Sequence, residues 1–247
     1  MRTISLEELI EQGALLKRFD RKYVLPAQAL PAFFGALPDD TRILEIDGRR
    51  RFPYRSTYFD TPSLDSYLGA ARRRRSRFKL RVRTYLATGT DVLEVKTRGS
   101  RGITIKDRFP YAGEHDRLGT AARELALAVL TKARIAVEPS FAPALTTHYE
   151  RTTLFVPSSG SRVTIDHDLA WALPGEPAGP ALPGRVVVET KSPRLTSPID
   201  RLLWSLAHRP SPMSKYATGL AVLRPALPAN RWRPLLRRHF DPPEGRL

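Results

Sequence analysis

Charge falls on every second residue in segment after segment of this chain, with aliphatic or small side chains between. In Lys79-Leu80-Arg81-Val82-Arg83 the cations alternate with Leu80 and Val82. Glu94, Lys96 and Arg98 alternate with Val95 and Thr97, and Thr104 and Lys106 with Ile103 and Ile105. Arg162, Thr164 and Asp166 alternate with Val163 and Ile165, and Glu189 and Lys191 with Val188 and Thr190. Asp20 and Lys22 share a parity in one further segment, and Tyr149, Arg151 and Thr153 in another. A period of two is that of a β-strand, whose side chains point alternately to opposite faces. A helix, with its period of 3.6, would mix the two sets. The pattern therefore commits the chain to sheet with one charged and one apolar face.

Turn signals bound these segments. Strands are predicted over 18–25, 54–60, 78–86, 91–98, 102–109, 147–156, 162–170 and 185–191. Gly89 and the stretch 99–102 separate three of them in succession, which predicts an antiparallel meander. Helices are predicted over 5–12 (Ser5 as cap, Gly13 as stop), 26–37 (opened by Pro26), 64–68, 116–133, 199–207, 213–223 and 231–239. The order is not a regular βαβα, so a doubly wound parallel sheet is excluded in favour of a large, mostly antiparallel α+β fold with helices inserted between hairpins. A single domain over 1–247 is expected, with its core at about 18–223 and a helical tail over 224–247.

The net charge of +16 calls for polyanionic company: nucleic acid, nucleotide, polyphosphate or anionic lipid. Much of it is arginine, which accumulates with Ala and Pro in GC-rich genomes; the lysines say more. Lys22, Lys79, Lys96, Lys106, Lys191 and Lys215 all lie in or beside the alternating segments. Any antiparallel sheet with one wet face alternates. Here, however, the polar face is Arg, Lys and Glu rather than Ser, Thr, Gln and Asn, and like charges repeat at i, i+2, which is repulsive unless an anion sits there. If the sheet closes with this face inward, its interior is a cationic channel, tolerable only with a charged ligand and metal inside. The chain has no cysteine, which excludes disulfides, thiol catalysis, iron–sulfur clusters and Cys-type zinc sites. The phosphate-loop patterns GxxxxGK[ST] and GxGxxG are absent, as are HExxH and GxSxG, and the five His show no metal-ligand spacing. No apolar run reaches membrane-spanning length and the N-terminus is acidic, so a cytoplasmic protein is expected.

Nine pieces in order carry a resemblance: RFDRKYVLP (18–26), STYFDTPSLDSYL (56–68), FKLRVRTY (78–85), LEVKTR (93–98), ITIKDRF (103–109), YERTTLF (149–155), RVTIDHDL (162–169), VVVETKS (186–192) and MSKYATGL (213–220). Together they resemble the catalytic domain of the VTC (vacuolar transporter chaperone) polyphosphate polymerases, within the triphosphate tunnel metalloenzyme superfamily that also holds the CYTH triphosphatases and adenylate cyclases. The resemblance implies an antiparallel eight-stranded β-barrel, the triphosphate tunnel, with helices packed outside. It implies phosphate ligands at Lys22, Arg81, Arg83, Lys96, Lys106, Arg151, Arg162, Lys191, Ser214 and Lys215, the cations among them serving catalysis. Glu189 would hold Mn²⁺ or Mg²⁺, with Asp166 and Glu94 as weaker candidates for a second metal shell or for tuning lysine charge.

The implied activity is metal-dependent phosphoryl transfer from ATP to a growing polyphosphate chain. An inorganic triphosphatase or polyphosphatase of the same fold is the alternative, with water as the attacking group. A non-catalytic polyphosphate- or nucleic-acid-binding protein is the alternative of another class. The implied partners are ATP and inorganic polyphosphate or tripolyphosphate. The SPX and membrane domains of the eukaryotic complexes are absent from this sequence, which suggests a stand-alone bacterial version and leaves a membrane-protein partner open. Two departures stand out: Asp20 takes the place of a Glu of the superfamily's ExExK signature, and Pro212-Met213 precedes Ser214 where the VTC pattern has a further Lys. The run ARRRRSR (71–77) and Arg49, Arg50 and Arg51 resemble nucleic-acid patches, but no dedicated nucleic-acid motif accompanies them. They read equally as solvated surface, or the run from Arg72 to Arg77 as a loop funnelling anionic polymer inward. Tyr58, Phe59, Tyr67, Trp171 and Trp204 are read as core.

Overall fold

The structure, a computed structural model, describes residues 1–13, 19–98, 104–177, 179, 181–182 and 184–240. The predicted turn over 99–102, the strand residues Arg18 and Ile103, and the tail beyond 240 lie outside the described residues. In chain order the elements are β1 (Arg2–Ile4), α1 (Leu6–Gly13), β2 (Phe19–Pro26), α2 (Leu30–Gly35), β3 (Arg42–Leu44), β4 (Phe52–Asp60), α3 (Asp65–Ala71), β5 (Arg77–Tyr85), β6 (Thr90–Arg98) and β7 (Thr104–Pro110). They continue with α4 (Thr120–Lys132), β8 (Ala142–Val156), β9 (Ser161–Ala172), β10 (Arg185–Ser192), α5 (Pro198–Ser205), α6 (Lys215–Leu223) and α7 (Arg233–His239). Among the described residues no helix is long and apolar enough to cross a membrane.

Local chemistry explains most boundaries. The Glu8 amide donates to Ser5 Oγ at 3.1 Å and the Ser5 amide to Glu8 Oε2 at 3.0 Å, a reciprocal cap that starts α1. The helix predicted over 26–37 is split: a 3₁₀ turn (Ala27–Ala29) precedes α2, with Pro31 in its first turn. A proline ring lacks the amide and clashes with the preceding turn, so an α-helix starts there more readily than it runs through. The sequence reading missed β1 and β3, which are too short to show alternation; they pair in parallel, Arg2 opposite Arg42.

The hydrogen-bonded strand order is β2-β10-β9-β8-β4-β5-β6-β7, with β1 and β3 beside it. The expected α+β fold, a large antiparallel sheet with helices outside, is borne out; the sheet has ten strands rather than eight, and among the described residues no ladder joins β7 to β2 to close a barrel. The end strands carry edge chemistry. β7 holds Lys106, Asp107 and Arg108 and ends at Pro110; β2 holds Asp20, Arg21 and Lys22 and ends at Pro26. Charge and proline both discourage further pairing.

The chain forms two compact units. The first comprises Met1–Pro53, Tyr149–Leu169 and Leu182–Met213. In it Tyr23, Leu25, Val163, Ile165, Val186 and Val188 pack against Phe33 of α2 and Ile199 and Leu203 of α5. Buried Asp200 pins α5 to the strands, accepting from Tyr23 Oη at 2.8 Å, Thr190 Oγ1 at 2.7 Å and the Ser197 amide at 2.8 Å. The second unit comprises Tyr54–His148, Ala170–Ala181 and Ser214–Leu247. There Phe59, Phe78, Leu80, Val82, Leu93 and Val95 pack under Ala122, Ala126 and Leu130 of α4. Fully burying each such large side chain contributes about 1.5–3 kcal/mol. In both units helices cover the aliphatic parity of the strands, and the charged parity is left on the opposite face.

Candidate functional site

In the second unit the charged face is organised around one carboxylate. The register sets Lys79 opposite Lys96 and Lys96 opposite Lys106, while Glu94 lies between Arg81 and Arg108. Glu94 is 2% exposed. It accepts from Arg81 Nε at 2.6 Å, pairs with Lys106 Nζ, and has Arg108 Nε at 3.4 Å and Arg83 Nη1 at 3.9 Å. Burial alone would raise its carboxyl, but Arg81, Arg83 and Lys106 overcome that and hold it well below the usual carboxylate range. One carboxylate cannot neutralise four cations, and the excess falls on the lysine. Burial pushes Lys106 down to about 7; Glu94 pulls it up, and Arg81 and Arg83 push it further down. Aromatic rings line the same face. Arg81 Nη1 donates to Tyr58 Oη at 3.0 Å, and the Arg83 guanidinium lies 5.6 Å from the Tyr54 ring centroid.

The segment MSKYATGL closes this face by a set of specific contacts. Ser214 caps α6, its Oγ accepting from the Ala217 amide at 3.2 Å and from Lys79 Nζ at 2.8 Å. Both acceptor sites of that hydroxyl are then used, and its proton remains as a donor. Tyr216 donates to the buried Asp60 carboxylate and stacks on Tyr58 at 5.1 Å. Asp60 also accepts from the amides of Thr61, Ser66 and Tyr67 at 2.8–2.9 Å, so it fixes the start of α3 and the position of α6 together. Gly219 lies against Trp171, where an added Cβ would meet the indole at 2.1 Å. Trp171 Nε1 in turn donates to the Lys215 carbonyl at 2.8 Å. Trp171, Phe59, Tyr67 and Tyr58 are buried, as expected of core, whereas Trp204 is half-buried.

In the first unit the charged face is nearly balanced. Glu189 stands between Lys22 on β2 and Thr164 on β9, and Lys191 between Asp20 and Arg162. Lys22 Nζ is 3.7 Å from Glu189 Oε1, Lys191 Nζ is 2.9 Å from Oε2, and Lys191 also donates to Thr164 Oγ1 at 3.3 Å. Burial would raise the Glu189 carboxyl, but Lys191, Lys22 and Arg151 hold it well below the usual range. Burial pushes Lys191 down to about 8 against the pull of Glu189. Beside them Arg151 grips the buried Asp166 with both arms of its fork, Nε to Oδ1 at 2.6 Å and Nη2 to Oδ2 at 3.0 Å. Its guanidinium also lies 5.2 Å from the Tyr149 ring centroid.

The structure thus brings Arg81, Arg83, Lys106 and Glu94 together in the second unit, with Lys96 in register beside them and Ser214 joined through Lys79. Lys22, Lys191 and Glu189 come together in the first, with the Arg151–Asp166 pair and Arg162 adjoining. Lys215 contributes its carbonyl to Trp171 Nε1. Lys79, Arg108 and Tyr58 were missing from the sequence-derived ligand set. The two cations share the parity of their neighbours and were legible by spacing; Tyr58 became visible only through strand register, opposite Arg81. Among the described residues no three His, Cys, Asp or Glu side chains cluster closely enough to hold a metal by themselves.

Residues 17–224 match the VTC domain family. The chain belongs to the VTC domain family. That membership supports an enzyme and polyphosphate- or triphosphate-related phosphoryl chemistry. A solved structure of HpAC1 from Hippeastrum, described as revealing a dominant triphosphatase activity, is similar in fold to this VTC-domain chain. It has 15% identity and a TM-score of 0.50, with 82% of this chain and 95% of that chain covered. A conserved hypothetical protein from Pyrococcus furiosus covers 77% of this chain and 88% of its own at 13% identity and a TM-score of 0.38. The PH1012 protein from Pyrococcus horikoshii covers the same shares at 12% identity and a TM-score of 0.39. No curated protein matches the chain.

Proposed function

We propose that the chain is a metal-dependent polyphosphate polymerase that transfers the γ-phosphoryl group of ATP to the end of a polyphosphate chain. The observation that carries this reading is the gathering of cations on the buried Glu94: Arg81, Arg83, Lys106 and Arg108 lie within 4 Å of its carboxylate, with Lys79 and Lys96 on the same strand parity beside them. Such a surface is repulsive by itself and is relieved by a polyanion. Phosphoryl transfer needs positioning and charge neutralisation more than covalent help from the protein. Arg81 and Arg83 offer planar forks to phosphate oxygens, Lys96 and Lys106 act as point charges, and Ser214 donates a hydrogen bond. Lys22, Arg151, Arg162, Lys191 and Lys215 are the further phosphate ligands of the proposal.

Glu189 is the carboxylate suited to a hard cation, Mn²⁺ or Mg²⁺. It is 15% exposed, the more accessible of the two clustered glutamates, and one or two carboxylates with phosphate oxygens and water complete the shell of such an ion. A bound cation would polarise the transferring phosphate and neutralise developing charge. Asp166, held by Arg151, and Glu94, held by its cations, orient these side chains and set their charge. In the transfer step, a terminal phosphate oxygen of the acceptor forms the new P–O bond as the bond to the departing ADP oxygen breaks. Water in the acceptor's place gives a triphosphatase, and the activity ascribed to the Hippeastrum protein keeps that second reading open. Incubation with ATP and Mn²⁺, with free phosphate and long-chain polyphosphate assayed together, separates them. Long chains are the expected product, phosphate alone would establish the hydrolase, and absence of turnover would leave a binding protein.

A further inference from the structure

At one end of the charged face of the second unit four arginines gather with no counter-ion among the described residues. Arg77 lies directly opposite Arg98 in the β5–β6 register, one pair beyond Lys79 and Lys96. Arg77 Nη1 donates to the Arg74 carbonyl at 2.6 Å, and Arg231 Nη1 to the Ala70 carbonyl at 3.0 Å, so both guanidiniums are held at the C-terminal end of α3. Arg73 sits in the same turn, its amide 3.3 Å from the Ala70 carbonyl. Among the described residues no carboxylate forms a salt bridge with any of these four. Burial and mutual repulsion lower Arg77 (through Arg98 and Arg231) and Arg231 (through Arg73 and Arg98) from the ordinary arginine value.

Helix-end carbonyls account for one N–H each of Arg77 and Arg231, out of five donors per guanidinium. They do not account for Arg98 or Arg73. Arg73 even adopts a left-handed backbone, φ 53°, at the position after the helix where glycine costs least. The cluster lies along β5 from Arg81, four residues away or roughly 13 Å of strand, so a triphosphate seated at Glu94 does not span both.

We propose that Arg73, Arg77, Arg98 and Arg231 form a second anion subsite, which holds phosphates of a long polyphosphate chain beyond those seated at the Glu94 cluster. The inference rests on the phosphate-binding reading of that cluster and adds selectivity for chain length. The test compares the wild type with the double variant Arg73→Gly, Arg98→Ala. Arg73→Gly suits the left-handed backbone, and the Arg98 side chain makes no ion pair among the described residues, so the variant keeps its fold. Calorimetry measures binding of tripolyphosphate, of long-chain polyphosphate and of a DNA duplex at 0.2 M salt. The expected result is a loss of roughly tenfold in long-chain affinity, the scale of one or two charge-assisted contacts, with tripolyphosphate affinity unchanged. Equal losses for both phosphates, no loss for either, or a larger loss for DNA than for polyphosphate would overturn the subsite. If the wild type binds no tripolyphosphate, the proposed function falls. A long-chain affinity that still depends on the four arginines would then uphold this inference, and its absence would overturn both.

Discussion

Glu94 and Glu189 occupy equivalent situations in the two compact units, yet they do opposite electrostatic work. Around Glu94 the cations outnumber the carboxylate, and the acid serves as an internal counter-ion that keeps Arg81, Arg83 and Lys106 aligned. Around Glu189, Lys22 and Lys191 meet Glu189 while Arg151 meets Asp166, so the charges nearly cancel. An excess of cations waits for an anion. A balanced cluster can exchange one cation for another, a lysine for a metal ion. The two faces share one strand grammar and differ in the count of acids, and under the proposed function that count divides phosphate holding from metal holding.

The harshest way to break the comparison is Glu94→Gln. Removing one partner of a buried ion cluster costs about 3–5 kcal/mol, and tripolyphosphate should restore much of the loss. Thermal melts with and without tripolyphosphate check this; a variant as stable as the wild type would mean that Glu94 holds nothing together. Acid should act similarly. The Glu94 carboxyl is depressed in the folded state, so its stabilisation is present above the usual carboxylate range and is lost as pH falls below about 4.5 toward its folded value.

Glu189→Gln should instead spare stability more and remove turnover, by on the order of 100-fold in kcat with Mn²⁺, while tripolyphosphate still binds. Steady-state assays beside calorimetry decide it; turnover surviving intact would remove Glu189 from the metal role. Gly219→Ala sharpens the contrast from the structural side. The methyl group must displace Trp171, an overpacking cost of about 1–3 kcal/mol. Because α6 carries Ser214, the variant should weaken phosphate binding at the Glu94 face and leave the Glu189 cluster's metal response unchanged in a metal titration.

The smallest expected effect is the dependence on pH. Lys106, near 7, and Lys191, near 8, lie below their ordinary value of 10.5, so the folded protein binds fewer protons than the unfolded chain between those limits and gains stability as pH rises through them. A phosphate beside either lysine restores its charge. Tripolyphosphate binding at pH 8 should therefore take up protons and weaken several-fold between pH 6.5 and 9. Calorimetry in buffers of different ionisation enthalpy reads the uptake directly; no uptake would mean that neither lysine meets phosphate.

Much of this was legible because strand parity is rigid. The i, i+2 spacing of Lys79, Arg81 and Arg83, and of Glu189 and Lys191, fixed the shared face of each set, and the register confirmed it. The N-cap role of Ser214 and the partnership of Tyr216 with Asp60 were not legible, since they join residues far apart in sequence. Whether the sheet closes was not legible for a related reason. Closure depends on what the end strands meet, and the charges and prolines of β2 and β7 speak of edges only when those strands are known to lie at the ends of the order.

The most direct test is a crystal structure with tripolyphosphate bound. The account predicts phosphate oxygens at about 2.7–3.2 Å from the guanidinium or ammonium nitrogens of Arg81, Arg83 and Lys106, on the face of β5, β6 and β7 away from α4. Phosphate bound at saturation on any other surface, with those three side chains still gathered only on Glu94, would contradict it.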